Sequence, residues 1–513
     1  MNVHQEDSKR IALNTFLLYV RMFILMLIGL YTSRVILNTL GFNDYGIYNV
    51  VGGIVVMFSV FTTTISTAIG RFITYEIGKG DKERLKTVFS TSIYVQIVLA
   101  IAIVLLCEII GYWFLMNKMD IPDNRMDAAL WVFHISNIGF GLGLFFTPYT
   151  SLIIAHERMG AFAYMSIFDA VAKLLIVYLL LLFDVDKLKL YSVLLFLVGL
   201  ITSLIYVVYC RFHFEESKIV CRFDKSIFSH MASFAGWNLF GHGAWMLETQ
   251  GTNLLINMFF GVQLNAARGI AVQVNNLVQQ FVGNFMTALT PQITKSFAAG
   301  DLEYMRSVVL RGAKFSFFLM FIIALPVALE TNLLLHLWLK DYPPYTIWFV
   351  RFTLGTSLCM VLVNPLLSAL QATGDIRNYQ IIVGIVGLMQ FPLIYLAFKL
   401  GCSPIASYVI CLFFYAFFVL FKPWLVRKRI QLPLKTYVKF VIVPIILVST
   451  LSSLFPIIIR FVMMESIWRL AVVCLLSFFC TCFTIWSVGL SVGEKKMVLN
   501  VANDRIKRLI KNK

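Results

Sequence analysis

The sequence predicts an all-helical, polytopic membrane protein of about fourteen transmembrane helices. They form two six-helix lobes in a same-orientation repeat, with two further helices at the C-terminal end. Three observations predict this. Apolar stretches fill the 513 residues almost end to end, each long enough for a crossing, which takes about 20 residues. Hydrophobic residues make up 59% of the chain against 13% charged, with a mean hydropathy of +0.83, a balance that excludes a soluble globular protein. A segment beginning at Arg71 returns 220 positions later, at Pro291.

In order, the spans are 11–40, 48–68, 88–116, 127–153, 161–183, 189–210, 228–260, 264–291, 309–337, 346–371, 379–400, 403–421, 436–460 and 464–490. The first lacks a small-residue cleavage site and is expected to be retained rather than removed as a signal peptide. The longer connections, 69–87, 211–227, 292–308 and 422–435, are basic. The opposite set, 41–47, 117–126 and 184–189, is brief. The net charge is +17, and most of the 43 Lys and Arg fall in one alternate set of loops and tails. The positive-inside rule therefore puts both termini and the long basic loops in the cytoplasm. The basic surplus reports orientation and contact with anionic membrane lipids, and gives no reason to expect nucleic acid. Five cations lie inside spans: Arg21, Arg34, Lys173, Arg268 and Arg351. The nine cysteines form no CxxC pair and behave as small apolar residues in packed helices.

The domain organisation follows from the repeat. At an offset of 220, Ile73, Thr74, Gly80, Asp81, Glu83 and Val88 meet Ile293, Thr294, Gly300, Asp301, Glu303 and Val308, and Lys86 meets Arg306. Both segments follow an even-numbered span at its cytoplasmic exit, so the lobes share one orientation. This gives an N-terminal lobe, 1–227, and a C-terminal lobe, 228–435. Helices 13 and 14 occupy 436–490, and a basic tail follows, 491–513. In the tail, Val498, Ala502, Ile506 and Leu509 recur at helical spacing, as in a helix lying along the inner surface. A repeat of this kind accompanies alternating-access carriers that hold substrate between lobes near the midplane.

The stretch Ser33-Arg34-Val35-Ile36-Leu37-Asn38-Thr39-Leu40-Gly41-Phe42-Asn43-Asp44-Tyr45-Gly46-Ile47-Tyr48 resembles the first-helix exit of the polysaccharide flippases. Those proteins carry an arginine, a leucine-glycine and an acidic-aromatic-glycine turn before helix two. Segments 78–88 and 290–301 are similar to the family's helix 2–3 and 8–9 connections. The family belongs to the multidrug/oligosaccharidyl-lipid/polysaccharide (MOP) exporter superfamily, whose fold is MATE-like. The resemblance implies a carrier that flips undecaprenyl-pyrophosphate-linked oligosaccharide repeat units, for O-antigen, lipopolysaccharide or capsule, from the cytoplasmic to the periplasmic leaflet. It implies a monomer that works beside polysaccharide polymerase machinery.

Span 8 is the strongest physical signal for a site. At about 100° per residue from Asn265, Arg268, Gln273, Asn275, Asn276, Gln279, Gln280 and Asn284 fall on one half of the wheel. Ile270, Val274, Leu277, Val278, Phe281 and Phe285 take the other. Amides facing lipid are costly, so this face lines a cavity or packs on polar neighbours. Arginine and amides suit phosphate and sugar hydroxyls. The expected substrate-binding residues are Arg21, Arg34, Arg268, Asn275, Asn276, Gln279 and Gln280. Arg21 and Arg34 lie roughly 20 Å apart along span 1 and point about 140° apart, so one straight helix does not aim both at one ligand unless it bends near Gly29. Arg34, near the outer end, either serves the site or snorkels to headgroups. Asp169 and Lys173 stand at i, i+4 and are expected to pair, either as structure or as a proton relay. Glu248 in span 7 either binds a coupling ion or balances Arg268. Glu108 and His134 have no partner legible in the sequence. Gly236, Gly241, Gly243 and Gly251 make span 7 either a bending helix or a closely packed one.

Nothing points to catalysis, a metal or a cofactor. No P-loop is present, no His/Cys/Asp cluster has metal spacing, and no carboxylate pair sits in a long exposed loop. A polymerase or ligase acting on the same glycans would need a sizeable periplasmic loop. The remaining alternative is a MATE-type cation-coupled multidrug exporter, with Asp169 or Glu248 as its ion site.

Overall fold

The computed structural model describes residues 2–57, 59–118, 121–183, 185–218, 223–260, 262–339 and 341–496. Within these, the side chains of 2–9, 11–12, 30, 33–34, 37–38, 42–43, 45–46, 49–50, 52–57, 59–61, 118, 257, 262–263 and 265–266 are not described. The described chain is helical throughout, with no strand. Among the described residues, ten helices are long and apolar enough to cross a membrane. The chain divides into two compact units, residues 12–239 and residues 240–513 together with 1–11.

In the first unit, α1 (Asn2–Met57) breaks at Gly41 (φ 79°, ψ 170°), a conformation glycine adopts without a Cβ penalty. The backbone runs helical through Gly29, so the bend that would let Arg21 and Arg34 share a ligand is absent, and the break falls twelve residues on, at the expected end of the span. There follow α2 (Ser59–Lys79), α3 (Lys82–Lys118), α4 (Asp123–Ala155), α5 (Met159–Leu179) and α6 (Lys187–His213). α4 packs on α2, α3 and α6, and α5 packs on α6. Ile69, Ile73, Phe89, Tyr149 and Leu152 form a fully enclosed apolar core, with the Phe89 and Tyr149 rings edge-on at 5.2 Å.

One arginine ties the three brief connections of this unit together. The Arg125 guanidinium donates to Asp44 (Nε to Oδ1, 2.9 Å) and to Asp186 (Nη1 to Oδ2, 2.7 Å). These three residues come from the expected connections 117–126, 41–47 and 184–189. Asp186 also caps α6 by accepting the Leu188 and Lys189 amides. Burial opposes ionisation of Asp186. The Arg125 hydrogen bond and the amides nevertheless hold its pKa below the ordinary carboxylate value. The tie is therefore present at neutral pH and is lost on acidification.

α7 (Lys225–Phe260) runs from the first unit into the second. The second unit continues with α8 (Val262–Ala298), α9 (Leu302–Leu329), α10 (Thr331–Leu339), α11 (Thr346–Thr373), α12 (Arg377–Leu388), α13 (Gln390–Lys399) and α14 (Ile405–Val426). α15 (Leu434–Tyr437), α16 (Val443–Val462) and α17 (Ile467–Thr484) complete it. α11 packs on α8, α9 and α14, as α4 packs on α2, α3 and α6. α16 and α17 pack on each other and on α9. π-helical turns, Val438–Ile442 and Ile485–Gly489, precede α16 and follow α17. The Glu330 carboxylate, fully buried beyond α9, is paired with Arg469 of α17 at 2.8 Å.

The two segments aligned at an offset of 220 adopt the same turn. Gly80 and Gly300 have φ of 76° and 80°, and their amides donate to Ile77 and Phe297 carbonyls. Asp81 then accepts the Arg84 amide at 3.0 Å, and Asp301 the Tyr304 amide at 2.9 Å. The aspartate caps the next helix in each unit, while the glycine supplies the left-handed turn.

Boundaries differ from the sequence expectation, three of them in the spans that flank the second unit's polar groups. Span 309–337 is two helices, α9 and α10, meeting at Glu330. Span 379–400 is interrupted at Met389, between α12 and α13. Span 403–421 runs on to Val426 and takes in Lys422. Gly241 and Gly251 serve close packing: a Cβ would meet Gln380 Oε1 at 2.1 Å and Phe391 at 2.7 Å. α7 has no recorded break, so these glycines bring helices together rather than bend one. The eight cysteines described are all free. The tail positions Val498, Ala502, Ile506 and Leu509 lie outside the described residues.

Replacing Arg125 with alanine leaves two partly buried carboxylates without their cation. The expected loss is about 2 kcal/mol, with Arg125→Lys recovering only part because it cannot span both acids bidentately. Thermal melts of the purified protein in detergent measure both.

Candidate functional site

Each unit carries its own cluster of polar side chains at depths where lipid would otherwise surround them. In the first unit it is built from α1, α5 and α6. Lys173 Nζ donates to Asp169 Oδ2 at 2.7 Å, so the expected i, i+4 pair forms. Thr202 of α6 donates to the other oxygen of Asp169 at 3.3 Å. Tyr206, one turn on, interacts electrostatically with both Asp169 and Arg21. The Arg21 guanidinium lies over the Phe162 ring, 4.5 Å from its centroid. Its Nε is buried with no hydrogen-bond partner among the described residues. A cation held on an aromatic face with a donor left over has capacity for an acceptor. The side chain of Arg34 lies outside the described residues.

In the second unit the cluster surrounds Glu248 on α7. Its carboxylate is 8% exposed. Tyr415 of α14 donates to Oε1 at 3.4 Å, and the α12 backbone approaches at Gly387, where a Cβ would lie 3.5 Å from Oε2. The cations that face it are Lys422 and Arg268. Arg268 does not pair with it directly: Nη2 donates to the Thr249 carbonyl at 3.0 Å. The balance expected between Glu248 and Arg268 is thus exerted through space, with Lys422 as a second contributor. Sequence reasoning missed Lys422 because it ended span 12 one residue early and counted the lysine among basic loops. The apolar run Trp424-Leu425-Val426 beyond it was the signal that the helix continues.

The polar face of α8 divides in two. Gln273, Asn276 and Gln280 are exposed and, with Gly269 and Gly283, form an uncovered stripe at i, i+3, i+4 spacing. Asn275 turns to the neighbouring helix, its Oδ1 accepting the Ser357 hydroxyl of α11 at 2.6 Å. Gln279 and Asn284 are half-buried, and the side chain of Asn265 lies outside the described residues. Polar packing thus holds at Asn275, while Asn276 and Gln280 present an open polar face. The stripe also explains why α8, with 37 residues, does not qualify by hydropathy among the ten crossing helices.

Glu108 and His134 prove to be each other's partners, with His134 Nδ1 and Glu108 Oε2 2.8 Å apart. Asn137 donates to the other oxygen at 2.8 Å. The pairing joins α3 to α4 and was invisible in the sequence because the residues come from different helices. Arg351 is likewise engaged, donating through Nε to the Ala328 carbonyl at 2.9 Å.

The described chain is all-helical, with many helices able to cross a membrane and a polar cluster in each of two units. Solved structures show that its fold is MATE-like. A MOP superfamily transporter from Pyrococcus furiosus, described as having a binding pocket of reverse polarity, matches with TM-score 0.68 at 14% identity, over 84% of this chain and 97% of its own. A MATE structure in complex with MaD3S matches with TM-score 0.70 at 14% identity, over 84% and 97%. An outward-facing multidrug resistance MATE transporter matches with TM-score 0.69 at 14% identity, over 83% and 96%. No protein-family model matches the chain, and no curated protein does.

Two measurements probe this geometry. In a background with the native cysteines replaced, Asn276→Cys and Gln280→Cys are expected to react with a water-soluble maleimide at least tenfold faster than Val278→Cys, which faces the packed side. Glu248→Gln and Lys422→Met are each expected to destabilise, and the double variant less than their sum, with a coupling of about 1 kcal/mol read from melting curves.

Proposed function

We propose that this chain is a flippase for undecaprenyl-pyrophosphate-linked oligosaccharide repeat units, moving them from the cytoplasmic to the periplasmic leaflet of a bacterial inner membrane by alternating access. One observation carries the reading: the sign of the two polar clusters. Arg21 and Lys173 stand against the single carboxylate of Asp169, and Arg268 and Lys422 against Glu248. Each cluster holds two cations to one anion. Such a site stabilises an anionic cargo and repels a cationic one. A pyrophosphate meets guanidinium groups, and sugar hydroxyls meet the exposed amides Asn276 and Gln280, with Asn275 and Gln279 beside them. Arg34, from the turn that resembles the flippase family, serves the same cargo. The fourteen-helix organisation, with lobes 1–227 and 228–435 and helices 13 and 14 after them, belongs to this proposal. So do a monomeric state and work beside polysaccharide polymerase machinery.

The cation-coupled multidrug exporter is the second reading. It needs a carboxylate available to a coupling ion. Asp169 is committed to Lys173 and Thr202, which disfavours it in that role. Glu248 faces two cations, which disfavours a further cation there.

The test is the leaflet distribution of the prenyl-pyrophosphate-linked glycan after depletion of the protein, probed in spheroplasts with a membrane-impermeant glycosidase. Accumulation of a protected, inner-leaflet intermediate is expected. An unchanged distribution in a strain without a redundant carrier refutes the flippase reading. Arg268→Ala is expected to abolish export while the protein remains inserted and stable; normal export by that variant removes Arg268 from the site.

A further inference from the structure

A cavity of about 390 Å³ lies in the second unit where α9, α15 and the residues after α17 converge. That is within the range of small-ligand sites, ~300–1,000 Å³. Its α9 wall is one helical face, running from Glu303 through Arg306, Ser307, Leu310 and Arg311 to Lys314. Leu432, Thr436, Phe440, Ser491 and Glu494 close it.

The charges in this pocket are arranged rather than scattered. Lys314 and Glu494 form a buried ion pair at 2.6 Å, their side chains 4% and 7% exposed. Glu494 is held in place by the Ser491 amide at 2.7 Å and the Ser491 hydroxyl at 2.9 Å. The pair neutralises itself and fixes the floor. Above it, Arg306 donates one N–H to the Gln431 carbonyl at 2.9 Å, which anchors its guanidinium at the rim of the cavity. A guanidinium has five donors in a planar fork matched to phosphate. Glu303, exposed, stands one turn before Arg306 on the same face. Lys435 and Lys439, both exposed, flank the lining residue Thr436, and Phe440, 47% exposed, presents an apolar surface beside them. A site with cations inside, apolar surface at its mouth and a lysine fringe suits an amphiphile with a phosphate head.

Two further features separate this pocket from ordinary helix packing. Both π-helical turns of the second unit end against it: Val438–Ile442 includes Phe440, and Ile485–Gly489 leads directly to Ser491. Such turns concentrate at functional sites because each costs hydrogen-bond geometry. The matching face of α3 is also different. At the offset of 220 residues, Thr91 and Tyr94 occupy the positions of Arg311 and Lys314. There the face is closed by the chain that follows α6: the Asp224 amide donates to Thr91 at 3.4 Å, and Phe223 lies on the Tyr94 ring. Lys86 keeps a cation at the position of Arg306, but Arg311 and Lys314 have no basic counterpart in the first unit.

We propose that this cavity binds the phosphate headgroup of an anionic phospholipid of the cytoplasmic leaflet, with Arg306 and Arg311 on the phosphate, Lys314–Glu494 as its floor and Phe440 against the start of an acyl chain. The site is separate from the clusters assigned to cargo, and the inference does not rest on the transport reading.

The full-length protein, delipidated in neutral detergent, is titrated with phosphatidylglycerol, phosphatidylcholine or inorganic phosphate, and bound molecules are counted by native mass spectrometry. One phosphatidylglycerol is expected to be retained above the phosphatidylcholine background. The Arg306→Gln/Arg311→Gln variant is expected to raise its Kd about tenfold or more, the loss of a charge-assisted contact. Ser307→Trp, which fills the cavity and leaves every charge in place, is expected to do the same. Melting curves establish that each variant is folded, and both leave the Lys314–Glu494 pair intact. Equal retention by the double-arginine variant overturns the proposal. So does loss on charge removal without loss on filling, which marks adsorption to an exposed basic surface. Inorganic phosphate that binds as tightly as the lipid and displaces it overturns the lipid assignment. The readout needs no transport, so its failure leaves the flippase proposal standing.

Discussion

An ion placed in hydrocarbon must be answered by something within a few ångströms, because neither water nor a distant countercharge compensates the lost hydration. The helices of this protein are arranged around that requirement. Asp169 is answered by Lys173 and Thr202, Glu108 by His134 and Asn137, Glu330 by Arg469, and Glu494 by Lys314. In each case the answer comes from the same helix or from one that packs in the same unit. The polar groups thereby select which helices become neighbours, in a setting where apolar burial discriminates poorly between them.

The exceptions are the groups with capacity left over. Arg21 rests on an aromatic face with its Nε buried and without a partner among the described residues. The stripe Gln273, Asn276 and Gln280 stands uncovered. Glu248 is enclosed by Tyr415 and Gly387 and faced by two cations without direct pairing to Arg268. Glu330 and Arg469, although paired with each other, also keep one atom each without a partner among the described residues. What sets the cargo proposal on Arg21 and the α8 amides is their spare donors beside uncovered polar surface.

Much of the fold was legible because its strongest signals are local. Apolar run length anticipated an all-helical chain, ten of whose described helices are long and apolar enough to cross a membrane, and the glycine-aspartate turns at 80–81 and 300–301 stood out at an offset of 220. The i, i+4 spacing gave the Asp169–Lys173 pair, and the wheel of span 8 gave a helix that is polar on one side. What the sequence hid was non-local. The partnership of Glu108 with His134 and the three-way tie at Arg125 depend on which helices become neighbours. No periodicity within a single span reports that. Lys422 was hidden for a different reason: a lysine after an apolar run resembles a loop residue, and only its position on α14 next to Glu248 reveals its role. On α8, periodicity separated polar from apolar but could not separate Asn275, which is spent on Ser357, from Asn276, which is not.

The Arg125 tie has a consequence for how the protein is made. Its three partners leave the ribosome in the order Asp44, Arg125, Asp186, and the last arrives only as the sixth crossing begins. Until then the arginine holds one acid and has a vacant side, and the early helices are joined at a single point. In a nascent chain stalled before residue 186, Arg125 would be neutralised by Asp44 but would keep the N–H donors that Asp186 later takes, and the third connection would be untied.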